Sequence, residues 1–531
     1  MSEVASNDAT ESYERRWWTL GTLCVALMVI GVDNTILNVA LPSIVRKLNA
    51  TGSQLQLMVD SYTIIFACLL LTSGSLGDRY GRRRALMFGL LWFGVFSALA
   101  SRAGSPTQLI LARGCMGIGG AFIFPTTLSI LTNTFRDPRE RARAIGIWAG
   151  VSGIGIALGP LAGGVLVEHF GWGSVFLVNL PICTAALILA AFFVPNSSAR
   201  DESPLDPIGA LLSIVGLIAF LYAIIQGPDK GWTSGIVAGG LALGALFLGL
   251  FAWWEMHNPR PMLDVKFFKN PRFSAASATI TITFFGFYAS TFLLTQYFQF
   301  ILQYSPLKAG VMLIPTAIGM MVGAPTAPRL VERFGTKTVV CAGLGLVTLA
   351  TACYASNTIM SNLGAGLFVR LVIGVGFGVT TAPVTESIMG SLPPSRAGVG
   401  SAVNDTTRQT GGAMGVAVIG SVFAARYHAS IGSLSFLPLA ARTVARESIG
   451  TSLQVAAHLG TPAAGQLHAV AVRAYLSSMR VTYAISVVIV LIAIAVAYKY
   501  LPARATPVAS DLSYVDDASP AIAIELESAT D

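Results

Sequence analysis

Apolar runs of bilayer-crossing length alternate with short polar segments along almost the whole chain. A helix needs about 20 apolar residues to cross the hydrocarbon core. Fourteen runs fit that pattern, near 17–40, 55–77, 85–101, 107–132, 142–168, 173–194, 207–226, 235–255, 273–302, 308–330, 337–357, 362–391, 397–424 and 480–501. They predict an all-α membrane protein. Prolines inside the runs, such as Pro125, Pro160, Pro325 and Pro383, are compatible with this, because neighbouring helices and water satisfy the freed carbonyls. The polar segment 425–479 is the long exception. Its Ala-rich stretches, with Arg442, Arg446 and Glu447, read either as short helices covering one end or as a passive linker.

Composition sharpens the class. Only 11% of the 531 residues are charged, 54% are hydrophobic, and mean hydropathy is +0.68. A soluble globular domain carries about 25% charged residues, so soluble, disordered and fibrous chains are excluded. The net charge of +8 sits in short loops rather than on a basic face, so no nucleic-acid partner is expected. With the N-terminus inside, 21 Lys and Arg fall in inside segments. Five fall in short outside segments, five more in or beside 425–479, and three (Arg113, Arg370, Arg408) within runs. Both termini are therefore expected in the cytoplasm. All six cysteines lie in apolar runs, so neither disulfides nor a metal site is expected. The first 14 residues are polar with no cleavable signal, so the first run is expected to be an uncleaved anchor. The tail after Arg504 carries six acidic residues and reads as disordered.

The chain repeats itself. Asp78-Arg79-Tyr80-Gly81-Arg82-Arg83 recurs as Glu332-Arg333-Phe334-Gly335-Thr336-Lys337, 254 positions on. Arg113-x3-Gly117-x-Gly119 recurs as Arg370-x3-Gly374-x-Gly376, 257 on, and Arg143-Ala144 as Arg396-Ala397, 253 on. A proline follows the second motif in each half, Pro125 and Pro383. Three matches at nearly one offset mean a duplicated six-helix bundle. The predicted parts are a cytoplasmic segment 1–16, a first bundle 17–200, two extra helices 201–258, a second bundle 259–502 containing the outer loop 425–479, and a tail 503–531. Parallel six-span repeats form transporters with a substrate site between the halves near the midplane.

On these residues the chain resembles the major facilitator superfamily, and within it the fourteen-span drug:proton antiporters. Asp33-Asn34-Thr35-Ile36-Leu37-Asn38-Val39-Ala40-Leu41-Pro42 is similar to that family's first-helix motif. Gly74-Ser75-Leu76-Gly77-Asp78-Arg79-Tyr80-Gly81-Arg82-Arg83-Arg84 is similar to the superfamily's cytoplasmic loop motif. Gly146-x8-Gly155-x3-Gly159-Pro160-x2-Gly163-Gly164 matches the antiporter motif, which the resemblance associates with exporters. Trp172-Gly173-Ser174 and Met116 depart from the family pattern. The resemblance implies two six-helix bundles plus two extra helices, and drug export driven by the proton gradient with no cofactor. It also implies a cytoplasmic gate at Gly74, Gly77, Asp78, Arg79, Gly81, Arg82 and Arg83; for the arginines a simple topogenic role fits equally. Gly155, Gly159, Gly163 and Gly164, with Pro160, clear one helix face and are expected to seal the surface on which the halves rock.

Ionisable groups within spans are costly and mark function. At a rise of about 1.5 Å per residue, Asp33 lies roughly 24 Å up the first span. Asp60 and Arg113 then lie roughly 8 and 9 Å from the opposite ends of theirs, so the three share a layer. Burial favours the neutral acid and a nearby arginine the anion. Asp33 is therefore the candidate proton carrier, Arg113 its tuning partner and Asp60 an accessory; a static Asp–Arg lock is the alternative. Asp405 and Arg408, three apart on one face, read as an intrahelical pair or as cavity groups that bind a cationic drug or a second proton. The cavity is expected to be large, apolar and weakly acidic, lined by Asp33, Tyr62, Phe66, Phe122, Phe124, Trp148, Tyr288, Gln296, Tyr297, Phe377, Asp405 and Arg408. No Walker sequence implies ATP, and no nucleophile–base set implies an enzyme. Expected partners are a small molecule, protons and the bilayer of the cytoplasmic membrane, with the monomer as working unit. Export of a single physiological solute, such as a lipid, siderophore or metabolite, is the competing function.

Overall fold

The computed structural model describes residues 14–48, 50, 52–197, 206–259, 261–355, 363–393, 396–432 and 434–503, and a few side chains within these, Pro160 among them, lie outside the description. The tail after Arg504 and nearly all of the first 16 residues also lie outside it. Among the described residues the chain is helical and has no strand.

A helix occupies each apolar run. The first bundle holds α1 (Arg16–Leu48), α2 (Gly52–Tyr80), α3 (Arg82–Ser101), α4 (Pro106–Thr134), α5 (Pro138–Phe170) and α6 (Asn179–Phe193). The extra pair are α7 (Pro207–Lys230) and α8 (Gly235–His257). The second bundle holds α9 (Pro271–Gln296), α10 (Ile314–Phe334), α11 (Thr336–Tyr354), α12 (Leu363–Met389) and α13 (Ala397–Ser430). It closes with the short helices α14 (Leu439–Glu447) and α15 (Ile449–Ala457) and the long α16 (Thr461–Tyr500). Local chemistry sets many starts. Ser105, Asp137, Asp206 and Asn270 each cap a helix whose first residue is proline, where no backbone donor is missed. Gly81 (φ 110°) and Gly335 (φ 83°) make the same tight turn in the two halves, in a region closed to most side chains.

Among the described residues twelve helices are long and apolar enough to cross a membrane, by length and composition. The fourteen expected spans are therefore not all confirmed by that measure. The long helices outside the twelve are α5, whose middle lies partly outside the described residues, and α13, which spends its length on Gly, Ser, Thr and charged residues. The segment 425–479 is largely helical: α13 runs to Ser430, α15 packs on α16, and α16 begins at Thr461, well before residue 480.

Within the halves α2 packs on α4 and α1 on α5, then α10 on α12 and α9 on α13. Between the halves α5 meets α10 and α2 meets α13. The repeat maps α2 onto α10 and α5 onto α13, so these are one contact made twice about a pseudo-twofold axis. The symmetry extends to atoms. Arg113 Nε donates to the Met58 carbonyl (3.3 Å) and Arg370 Nη1 to the Met312 carbonyl (2.8 Å), with Met58 and Met312 again 254 apart. Of the extra helices, α7 lies against α2 and α13, while α8 packs on α7 and is otherwise largely exposed.

Candidate functional site

A cavity of about 590 Å³ lies between the halves. Its wall comes from α1, α4, α9, α10, α11, α12 and α13, and from none of the residues near Asp78 or Gly335. It therefore occupies the half of the molecule away from the loop-motif end. Of the expected lining residues, Phe124, Tyr288, Gln296, Phe377, Asp405 and Arg408 are on it. Asp33, Tyr62, Phe66, Phe122 and Trp148 are not: the first bundle packs around them. Tyr297 borders a separate space of about 90 Å³. The reason is rotation. Each residue turns a helix by about 100°, so Asn34 and Thr35 reach the cavity while Asp33 turns into the bundle. Trp148 sits just behind the wall, donating to Thr127 Oγ1 (3.1 Å) and edge-on to Phe124.

Asp33 is fully buried in a polar network. Arg113 Nη1 donates to its Oδ2 (2.5 Å), and Asn179 Nδ2 donates to its Oδ1 (3.1 Å) and to Ser97 (3.1 Å). The Arg113 guanidinium also lies 4.3 Å from the Tyr62 ring centre. The expected layer is therefore real for Asp33 and Arg113. Asp60 is half-buried on α2, two residues from Met58 and Tyr62.

The cavity's own charged groups are Asp405, Arg408 and Arg370. Asp405 is held by Asn404 Nδ2 (3.0 Å) and Ser401 Oγ (3.5 Å). Arg408 donates instead to Thr385 Oγ1 (2.7 Å) and lies against Trp148 and Phe284. The two make no ion pair within 4 Å, though each lies within electrostatic reach of the other, and both stand on the cavity wall. The expectation of a weakly acidic cavity fails: two guanidinium groups face one carboxylate. Arg370 was visible in the sequence as the repeat of Arg113, and its place on the wall was missed.

The opposite end is closed by contacts between the halves. Asp78 Oδ2 accepts from the backbone N–H of Gly398 (2.8 Å) and Val399 (3.3 Å), the first turn of α13. Its Oδ1 accepts from Arg82 Nε (2.7 Å) and Ser129 Oγ (3.4 Å). Helix N-termini favour such an anion. A Cβ on Gly74 would meet the Gly398 carbonyl at 2.5 Å, so α2 and α13 touch backbone to backbone. Beside them Arg141 binds Glu386 across the halves (2.9 Å), and Arg139 faces Glu332 at 3.8 Å on the surface. Arg82 is buried, Arg83 donates to the Ala191 carbonyl (2.5 Å) and Arg84 is exposed.

The antiporter-motif glycines divide. Gly155, Gly159 and Gly163, four apart, face α1, where added Cβ atoms would strike Gly31, Thr35 and Ile36. They seal α5 to α1 inside the first half, not the surface between halves as expected. Gly164 faces Leu307, and Gly146, Gly150 and Gly153 face α10 across the halves.

The family model for the Major Facilitator Superfamily matches residues 23–416. This chain belongs to the major facilitator superfamily. It is thus a membrane transporter rather than an enzyme. Relatives in the superfamily are named for drug efflux. The "Multidrug efflux pump LfrA" of Mycolicibacterium smegmatis is 35% identical over 91% of this chain and 95% of that protein. The "Methyl viologen resistance protein SmvA" of Salmonella typhimurium is 31% identical over 85% and 91%. The crystal structure of the human organic anion transporter MFSD10 (TETRAN) superposes with a TM-score of 0.61 at 13% identity, covering 91% of this chain and 99% of that one, which shows the shared fold.

Proposed function

We propose that this superfamily member is a proton-coupled antiporter that exports amphipathic compounds across the cytoplasmic membrane by alternating access. The observation that carries the reading is a cavity between two pseudo-symmetric halves, sealed at one end, with one carboxylate, Asp405, on its wall and a second, Asp33, locked to Arg113 behind it. With the termini inside, as the Lys and Arg distribution directs, the sealed end is cytoplasmic and the conformer faces outward. Aromatic and apolar groups hold the body of a drug. Asp405 exchanges a proton with the cavity or meets a cationic group.

Asp33 acts as the internal half of the coupling. Protonating it removes the negative charge that Arg113 Nη1 binds, so proton loading and separation of α1 from α4 are one event. Rocking then breaks Asp78 from α13 and Arg141 from Glu386 and opens the cytoplasmic end. The drug-efflux names of the relatives support the substrate class. A single copy encloses the whole cavity, consistent with a monomer as the unit. The test is proton release: ethidium added to weakly buffered, purified protein releases protons from wild type and markedly fewer from Asp405→Asn. Equal release from both removes Asp405 from the exchange.

A further inference from the structure

Arg370 is 5% exposed, lies on the wall of the main cavity and also borders the smaller space next to it. One end donates to the Met312 carbonyl. Its Nε has no hydrogen-bond partner among the described residues, and no carboxylate lies within 4 Å. The hydroxyl of Tyr354, 2% exposed, makes no hydrogen bond within 3.5 Å among the described residues, borders the same two spaces, and has the Arg370 guanidinium as its near polar neighbour. A buried charge with no anion against it is expensive, and here the guanidinium Nε and the phenol beside it both lack an acceptor within hydrogen-bonding distance among the described residues.

The repeat shows what is missing. Arg113, the counterpart of Arg370, has Asp33 at 2.5 Å. Offsets of 254 to 257 carry Asp33 onto the stretch Phe287, Tyr288, Ala289 and Ser290, which holds no acid. Both arginines keep the same backbone anchor and stack on a ring, Tyr62 at 4.3 Å and Phe298 at 4.5 Å. The second half has kept the arginine's cradle and dispensed with its carboxylate.

We propose that Arg370 and Tyr354 form an anion-accepting subsite in the cavity wall, which binds a carboxylate or comparable oxyanion on an amphipathic substrate. The guanidinium fork and a phenol suit two oxygens of one anion. Phe287, Phe292 and Phe377 line the same cavity and hold the apolar body. Asp405, also on the wall, gives a zwitterion a place for its cationic end. The subsite specifies the substrate of the proposed export, and it rests on that reading for direction of transport but not for binding.

The test uses the purified full-length chain and two probes with one aromatic body, 2-naphthylacetate and 2-naphthylethylamine. The readout is the ratio of their affinities, by direct binding. Wild type binds the carboxylate, and Arg370→Gln lowers the carboxylate-to-ammonium ratio by roughly tenfold or more, the worth of a charge-assisted hydrogen bond. Tyr354→Phe lowers it by about threefold. Arg370→Lys, which keeps the charge but not the fork, falls between wild type and Arg370→Gln. A merely structural role weakens both probes together and leaves the ratio unchanged, which overturns the proposal. So does a wild-type protein that binds the ammonium but not the carboxylate. Should Arg370→Gln fail to fold, unchanged ratios in both Arg370→Lys and Tyr354→Phe overturn it as well. Failure of wild type to transport either ethidium or 2-naphthylacetate under an imposed pH gradient, with the ratio shift intact, refutes the export reading and leaves the subsite standing.

Discussion

Asp78→Asn tests the seal most sharply. Asp78 makes two kinds of bond. Those to Arg82 and Ser129 stay within the first half and persist when the halves rock. Those to the backbone N–H groups of Gly398 and Val399 exist only while the α2–α13 end is closed. Asparagine keeps one carbonyl for these donors but loses the charge and presents an N–H₂ that cannot accept. The loss specific to the closed end is then about one charge-assisted hydrogen bond, about 1.5–3 kcal/mol. At about 1.4 kcal/mol per decade, that shifts the closed-to-open ratio roughly 10- to 150-fold. The total destabilisation is larger, because Arg82 is 2% exposed and loses its carboxylate. The conformational shift must therefore be read separately from melting. Nitroxides at Arg84→Cys and Arg333→Cys, exposed positions in opposite halves at this end, report it by pulsed dipolar distance measurement in a background with the native cysteines replaced. The variant should populate a longer distance at the expense of the shorter one. A distribution identical to that of the Asp78 parent would refute the idea that this carboxylate holds the end shut.

Three further outcomes are expected. Gly159→Ala places a Cβ on Thr35 Oγ1 and should destabilise the protein by about 1–3 kcal/mol in thermal unfolding. Gly239→Ala, which meets open space, should not, and equal melting of the two would contradict the α1–α5 packing. Arg141→Gln and Glu386→Gln should couple by about 1 kcal/mol in a double-mutant cycle read on the same nitroxide distances; additive effects would mean that the cross-half ion pair does not hold the closed end. Arg113→Gln should destabilise strongly, by about 3–5 kcal/mol, because it leaves Asp33 buried with Asn179 as its remaining side-chain partner. Adding Asp33→Asn should recover part of that loss, and no recovery would show that the two are not energetically paired.

Much of this architecture is legible in the residues. Two carboxyl-arginine-glycine loops at one offset gave the duplicated bundles, and Gly81 and Gly335 make the same left-handed turn. The Asp33–Arg113 contact followed from depth alone. What depth cannot supply is azimuth. In a soluble helix the polar face marks solvent, but here both faces are apolar and a one-residue error turns a side chain by about 100°. That is why Asn34 and Thr35, not Asp33, reach the cavity, and why Tyr62 and Phe66 stack inside the first bundle. The same blindness hid the division of the α5 glycines between α1 and α10. Arg370 was readable in principle: comparing the halves shows an arginine retained and an aspartate absent, and that asymmetry is itself a signal.

The central claim is proton-coupled export through this cavity, and the most direct test is gradient-driven transport in proteoliposomes of purified protein. An imposed pH gradient should drive ethidium transport by wild type, collapse of the gradient with a protonophore should abolish it, and Asp33→Asn and Asp405→Asn should each lose gradient-driven transport. Ethidium movement by wild type that ignores the gradient, or full coupling in both variants, would contradict the account.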